Sequence, residues 1–329
     1  MFHVKHRPAD VFHVKHRPSP SEQTGLIMVR PSPPMGEDGA VTSAPQCPDG
    51  QTPAPRLIAT DLDGTLLRDD QSVSPRTVAA LAAAEEAGIE VFFVTGRPAR
   101  WMDVVADHVH GHGLAICANG AAVVDLHAGR EFVQVRALPR TSALSVVEAL
   151  RAAAPGTSFA VELTTGINYE PAYPPFFKDP GARLATAEQL LRDNTDGSAA
   201  PVLKLLAHHS EITPDEFLAL ARSAAGSYAS ITRSSPTALL EISGHGVSKA
   251  STLALCCAER GISPAEVVAF GDMPNDVEML SWAGTSYAMG NAHPDVIAAA
   301  SGRTVANNED GVALVIERIL AERLARHKA

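Results

Sequence analysis

The ten residues Ile58-Ala59-Thr60-Asp61-Leu62-Asp63-Gly64-Thr65-Leu66-Leu67 constrain this chain more than any other stretch. A short apolar run ends in two carboxylates one residue apart, followed by Gly-Thr. The run reads as a buried parallel strand, and Gly64 as the turn that ends it. Side chains at i and i+2 share one side of an extended chain, so Asp61 and Asp63 both reach a ligand beyond the strand's C-terminal end. Open α/β sheets bind their ligands at that end. Two carboxylates held there repel each other. A divalent cation, a shared proton or a phosphoryl group relieves the repulsion.

The flanking pattern predicts an α/β fold with a Rossmann-like, doubly wound parallel sheet. Ser74-Pro75 supplies an N-cap and a first-turn proline for an Ala-rich helix over 74–87, closed by Gly88. A strand over 89–95, a helix over 98–109 and a strand over 114–118 follow. The rhythm changes after Gly120. Short strands are expected at 121–125 and 131–136, then a helix at 141–153, a strand at 158–163 and an irregular stretch at 168–177. A helix at 185–192, a strand at 202–207, a helix at 213–224 and strands at 227–232 and 237–242 come next. These elements form a second, α+β cap unit inserted in the first, set at 126–241. The catalytic core is then 56–125 and 242–329, resuming with a helix at 247–260, a strand at 266–270, a helix at 276–283, a strand at 285–289 and a last helix at 310–326.

Residues 1–55 are rich in Pro, Ser, Gly and Asp, lack periodicity and are expected to be disordered. They contain a direct repeat, Phe2-His3-Val4-Lys5-His6-Arg7-Pro8 and Phe12-His13-Val14-Lys15-His16-Arg17-Pro18. One reading is a His-rich metal-binding or basic arm. The other starts from codons: Met-Phe-His-Val-Lys-His can be written as ATG-TTT-CAC-GTG-AAA-CAT, its own reverse complement. On that hypothesis the segment is a palindromic DNA site of the chromosome-partition type read through as protein, and translation starts at Met28 or Met35. Codons in the gene that break the palindrome refute it.

The chain carries 27 Lys and Arg against 37 Asp and Glu, a formal charge of −10, with no basic stripe after the N-terminus. That argues against nucleic acid as the main partner. An acidic protein that handles phosphate must supply positive charge locally, from a metal, a lysine or backbone N–H groups. No apolar run is long enough for a membrane span. Cys47, Cys117, Cys256 and Cys257 lack metal-ligand spacing and form no disulfide pattern, which points to a reducing cytoplasmic compartment.

Three further segments carry chemistry. Thr95, ending a buried strand before Gly96 and Arg97, can donate its hydroxyl to a phosphoryl oxygen. Lys249 follows a Gly-rich loop and starts a helix, so its charge can reach a phosphoryl group and balance the carboxylates. Asp272 and Asp276, in Gly271-Asp272-Met273-Pro274-Asn275-Asp276, share one face of a first helical turn through their i, i+4 spacing. Hard oxygen ligands with water and phosphate suit Mg²⁺.

The run Asp61-Leu62-Asp63-Gly64-Thr65-Leu66-Leu67 resembles the first motif of the haloacid dehalogenase-like superfamily in its phosphatase form. The later motifs follow in the expected order, so the resemblance covers about residue 56 to the C-terminus. It implies that Asp61 is the nucleophile and Asp63 the general acid and base, with the Asp63 main-chain carbonyl a metal ligand. Thr95, Gly96, Lys249 and Asn275 are implied as phosphate contacts, with Arg97 a further candidate. Asp272 is implied as a direct Mg²⁺ ligand and Asp276 as a direct or water-mediated one. Ala250 stands where the family often has Gly. Ala118-Asn119-Gly120-Ala121 and Gly290-Asn291-Ala292 resemble segments of the Cof-type subgroup, which makes Asn119 and Asn291 candidate substrate contacts. A turn explains Asn-Gly equally well. The insert lies where Cof-type members carry their larger α/β cap, and Glu162, Tyr169, Glu170, Tyr173 and Lys204 are its candidates for substrate choice.

The implied protein is a monomer or homodimer that hydrolyses small phosphorylated metabolites with Mg²⁺. Sugar phosphates and phosphorylated cofactors such as flavin mononucleotide or pyridoxal phosphate are the expected substrates. A phosphomutase or a dedicated sugar-phosphate phosphatase would use the same core. A non-catalytic phosphate-binding regulatory module would be expected to have lost Asp61 or Asp63, and both are present.

Overall fold

The computed structural model describes residues 53–106, 113–175, 179–192, 200–234 and 237–328, all within one compact unit. The repeated Phe-His-Val-Lys-His-Arg-Pro segment, Cys47 and nearly all of the stretch expected to be disordered lie outside the described residues. The first half of the core contains β1 (Leu57–Thr60), α1 (Pro75–Glu86), β2 (Glu90–Val94), α2 (Asp103–Ala106), β3 (Leu114–Cys117), β4 (Ala122–Asp125) and β5 (Glu131–Val135). The insert contains α3 (Arg140–Ala153), β6 (Ser158–Leu163), β7 (Gly166–Tyr169), α4 (Ala187–Arg192), β8 (Val202–His208), α5 (Pro214–Ala225), β9 (Ser230–Thr232) and β10 (Leu239–Ser243). The core resumes with α6 (Lys249–Glu259), β11 (Val267–Gly271), α7 (Val277–Trp282), β12 (Thr285–Ala288), α8 (Pro294–Ala299), β13 (Gly302–Arg303) and α9 (Gly311–Lys328).

The core sheet runs β13-β12-β11-β1-β2-β3-β4-β5. It is parallel from β13 to β3, and the last two strands are antiparallel. Its strands are apolar on both faces because both faces are covered. Ile58, Val91, Phe93, Ala115 and Phe270 pack against Leu81 of α1 and Ile316 of α9. Their neighbours Leu57, Phe92, Val94, Ile116 and Ala269 pack the other way, against Leu253 of α6 and Met279 of α7. Strand order reverses at β1, with β2 on one side and β11 on the other, which opens a crevice at the carboxyl ends of these strands.

Both boundaries of the insert need correction. The insert does not begin at residue 126, because β5 pairs with β4 and belongs to the core sheet. The Asp125 carboxylate accepts the N–H groups of His127 and Ala128 at 2.8 and 3.1 Å. With Gly129 and Arg130 at positive φ, the chain turns straight back into the same sheet. The insert also runs two residues past 241, to the end of β10. Of the helix expected at 98–109, the described part is one 3₁₀ turn, Ala99–Trp101, and the single turn of α2. The stretch expected to be irregular from 168 contains the end of β7, which pairs with β6 across a two-residue turn.

The cap is a five-stranded antiparallel sheet in the order β7-β6-β8-β10-β9. Side chains alternate across it. Phe159, Val161, Leu205, Ala207, Leu240 and Ile242 pack against Val147 of α3 and Phe217 of α5. The opposite face presents Glu162, Lys204, Leu206, Leu239 and Glu241 to a cavity shared with the core. No described helix is long and apolar enough to cross a membrane.

Candidate active site

Four loops at carboxyl ends of core strands converge. Asp61 follows β1, Thr95 follows β2, Asn119 follows β3 and Asp272 follows β11. Lys249 is the first residue of α6, whose start is set by a reciprocal Ser248–Ser251 capping box. The Lys249 side chain is only 1% exposed. Its Nζ donates to Asp61 Oδ1 at 2.6 Å and to Asp276 Oδ1 at 2.7 Å. The other Asp276 oxygen accepts the N–H groups of Asp272 and Met273, both at 3.0 Å. Thr65 Oγ1 donates to Asp272 Oδ1 at 2.9 Å. Gly64 lies at φ +74°, and a Cβ there would meet Asp272 Oδ2 at 2.3 Å. Only glycine lets the β1 loop pass this close.

One oxygen from each of Asp61, Asp272 and Asp276 lies within 4.8 Å of the others. Three buried carboxylates against one ammonium leave two negative charges uncompensated. Burial pushes the Asp61 carboxyl well above the usual range; Lys249 opposes the shift, while Asp276 and Asp272 add to it. Burial, reinforced by Asp276, pushes Asp272 up to about 7 against the hydrogen bond from Thr65. Burial disfavours the Lys249 ammonium, yet Asp276 and Asp61 outweigh it and hold the group above an ordinary lysine. The cluster is therefore short of positive charge. A divalent cation fits this donor set: hard oxygens, close together, with charge to cancel.

The remaining expected residues divide. The Asp63 side chain stands apart from the three-carboxylate group, 48% exposed, and is held by Arg97 through two hydrogen bonds of 2.7 and 2.5 Å. Arg97 also contacts Gln71, so its guanidinium is committed to Asp63 and the adjoining loop. Thr95 is fully buried, and its Oγ1 accepts the Arg97 N–H at 3.0 Å. The Gly96 carbonyl accepts from Lys204 Nζ at 2.6 Å, so the cap grips the core at this turn. Lys204 also pairs with buried Glu241. Glu241 accepts from Asn119 Nδ2 at 2.8 Å, and Asn119 Oδ1 accepts from Asn275 Nδ2 at 3.0 Å. Asn275 Oδ1 is buried without a donor.

Three expected substrate contacts do other work. Asn291 donates to the Gly64 carbonyl at 2.8 Å and accepts the Asn307 N–H at 3.1 Å, bracing the β1 loop from outside. Tyr169 packs beside Tyr173 in the small apolar cluster of the cap, and it is Tyr173 that lines the cavity. Glu170 is a structural carboxylate, accepting from Arg151, the Phe159 N–H and the Ala187 N–H. Sequence reasoning missed Glu241, although a lone Glu inside the apolar run Leu239-Leu240-Glu241-Ile242 was a usable signal. It also missed Arg100 and Trp101, which line the cavity from the 3₁₀ turn after β2; Arg100 pairs across to Glu162 of the cap.

The comparisons with known proteins agree with this geometry. A family model described as haloacid dehalogenase-like hydrolase matches residues 58–316. The chain is 30% identical over 261 residues to a 5-amino-6-(5-phospho-D-ribitylamino)uracil phosphatase of Bacillus subtilis, covering 79% of this chain and 94% of that protein. It is 31% identical over 281 residues to a pyridoxal phosphate phosphatase of Escherichia coli, covering 79% of this chain and 97% of that protein. A solved phosphatase of the same superfamily from Bacteroides thetaiotaomicron superposes with a TM-score of 0.68 at 24% identity, covering 84% of this chain and 99% of that one. A parallel core with an inserted antiparallel cap, the four converging loops and these matches place the chain in the haloacid dehalogenase-like hydrolase family, as a phosphatase of the Cof type.

Proposed function

We propose that this protein hydrolyses phosphate monoesters of small metabolites by way of an aspartyl-phosphate on Asp61, with Mg²⁺ as its metal. The observation that carries the reading is Asp61 Oδ1 held 2.6 Å from buried Lys249 Nζ, beside Asp272 and Asp276. Asp61, Asp272 and Asp276 would hold the cation, together with the Asp63 main-chain carbonyl. When bound, the cation cancels excess carboxylate charge and polarises the phosphoryl group. The buried, partnerless Asn275 Oδ1 fits this picture, as an acceptor placed for a water or a protonated oxygen entering the site.

An Asp61 carboxylate oxygen attacks phosphorus in line, and the ester P–O bond breaks. Asp63, once it has left its Arg97 pair and taken up a proton, gives that proton to the departing alkoxide. Water then attacks the phosphorus of the acyl phosphate, Asp63 takes a proton from it, and inorganic phosphate leaves Asp61 free. Lys249 and the Thr95 hydroxyl steady the phosphoryl oxygens. The relatives named for a ribityl-uracil phosphate and for pyridoxal phosphate support a substrate of that size. The setting is the cytoplasm, in keeping with the buried thiols of Cys117, Cys256 and Cys257.

Phosphate release from naphthyl phosphate, with and without Mg²⁺, tests the reading. Asp61→Asn should lose at least about a thousandfold in kcat, since the covalent route closes. An Asp61→Asn variant with wild-type turnover refutes it.

A further inference from the structure

We infer that this site selects phosphate monoesters whose alcohol carries a flat aromatic or otherwise apolar body, over esters of polyhydroxylated sugars and over bisphosphates. The inference rests on the phosphatase reading and adds the chemistry of the leaving group. The cavity is about 730 Å³, which leaves room for a ring system beside the phosphoryl group. Asp61 and Asp63 line its floor. Its roof is the inward face of the cap sheet, where Ile167, Tyr173, Leu206 and Leu239 stand together in one apolar cluster. Trp101 closes one side and is 38% exposed.

The cations on this wall are already engaged. Arg97 is bound to Asp63, Arg100 to Glu162, and Lys204 to both Glu241 and the Gly96 carbonyl. A sugar entering here gives up hydrogen bonds to water for a mainly apolar wall, where beside the ion pairs Asp179, Ser234, Thr237 and Asn275 offer polar side chains. A second phosphate meets no uncommitted cation among these three, because each is already neutralised by its own carboxylate partner. An aromatic body loses little solvation and gains contact with Trp101 and the cap cluster.

Two measurements test this. The first is equilibrium binding to Asp61→Asn, followed through the fluorescence of Trp101 with Trp101→Phe as the control. The second is wild-type kcat/KM, which decides the matter if Asp61→Asn binds nothing. Naphthyl phosphate should exceed glucose monophosphate and fructose bisphosphate by at least about tenfold in both. Trp101→Ala should erase most of that ratio, through a raised KM for naphthyl phosphate. Equal or better use of glucose monophosphate, or a ratio indifferent to Trp101→Ala, overturns the inference. A wild type that binds in the expected order but releases no phosphate overturns the hydrolytic reading and leaves this wall assignment standing.

Discussion

The ion pair that joins the cap to the core can be tested by a double-mutant cycle on Lys204 and Glu241. Both side chains are almost fully buried. In Lys204→Met the Glu241 carboxylate keeps Asn119 and Ser234 as donors but loses its counter-charge. In Glu241→Leu the Lys204 ammonium keeps only the Gly96 carbonyl of its two partners. Leaving one buried charge uncompensated costs roughly 3–5 kcal/mol, whereas replacing both partners by apolar residues is often close to neutral. Each single variant should therefore lose roughly 3–5 kcal/mol in urea unfolding, a large part of a typical total of 5–15. The double variant should lie within about 2 kcal/mol of wild type. The pH dependence has a definite sign. Burial opposes ionisation of Glu241, but Lys204, with hydrogen bonds from Ser234 and Asn119, outweighs it and holds the carboxyl below the usual range. The stabilisation is present above the ordinary glutamate range and is lost as pH falls through the lowered folded-state value. The gap between wild type and Lys204→Met should narrow at acid pH. Single variants that each cost less than about 1 kcal/mol would mean that the pair behaves as a solvated surface bridge, and the closed cap–core junction would be refuted.

Thr65→Val removes the donor to Asp272 Oδ1 and leaves a buried carboxylate oxygen short of a partner, so about 1–3 kcal/mol of stability should go, with weaker Mg²⁺ affinity by titration. Gly64→Ala must place a Cβ 2.3 Å from Asp272 Oδ2 at positive φ, and activity should collapse with a backbone cost of about 1–2 kcal/mol; near-normal Mg²⁺ binding and turnover would contradict the close approach. Chelation should abolish phosphate release and lower the melting temperature, and free Mg²⁺ at a hundred times its Kd should restore about 2.7 kcal/mol. A melting temperature indifferent to Mg²⁺ would count against the Asp61, Asp272 and Asp276 group as its site.

The parts of this site that could be read from sequence are those whose chemistry is local. Asp61, Asp272 and Lys249 each sit where a strand ends or a helix begins, beside glycines or capping residues that announce the turn. What could not be read depends on partners far along the chain. Asn291 stands in a recognisable motif, yet its amide is spent on the Gly64 carbonyl, a contact that only the folded loop creates. Tyr169 and Tyr173 are equivalent as letters, and only the folded packing decides which meets the cavity. The boundary at 126 failed for a similar reason. The change of rhythm after Gly120 marks the end of parallel pairing, but the Asp125 turn folds the next strand back onto the same sheet.

The same network explains why cap placement and catalysis are one structural problem. Gly96 and Asn119 belong to the loops after β2 and β3, next to Thr95 and to Asn275 of the Asp272 loop. The cap meets both at once: Lys204 takes the Gly96 carbonyl, and Glu241 takes the Asn119 amide. A buried pair of opposite charges is a weak source of net affinity, because desolvation cancels most of the attraction. It discriminates strongly among registers, because a shift that breaks either contact strands a charge away from water. The cap sheet could slide over an apolar surface at little cost, but it cannot slide over this one. That restriction fixes Leu206 and Leu239, on the same strands as Lys204 and Glu241, in the cavity that Asp61 lines, so the residues that dock the cap also place its apolar wall.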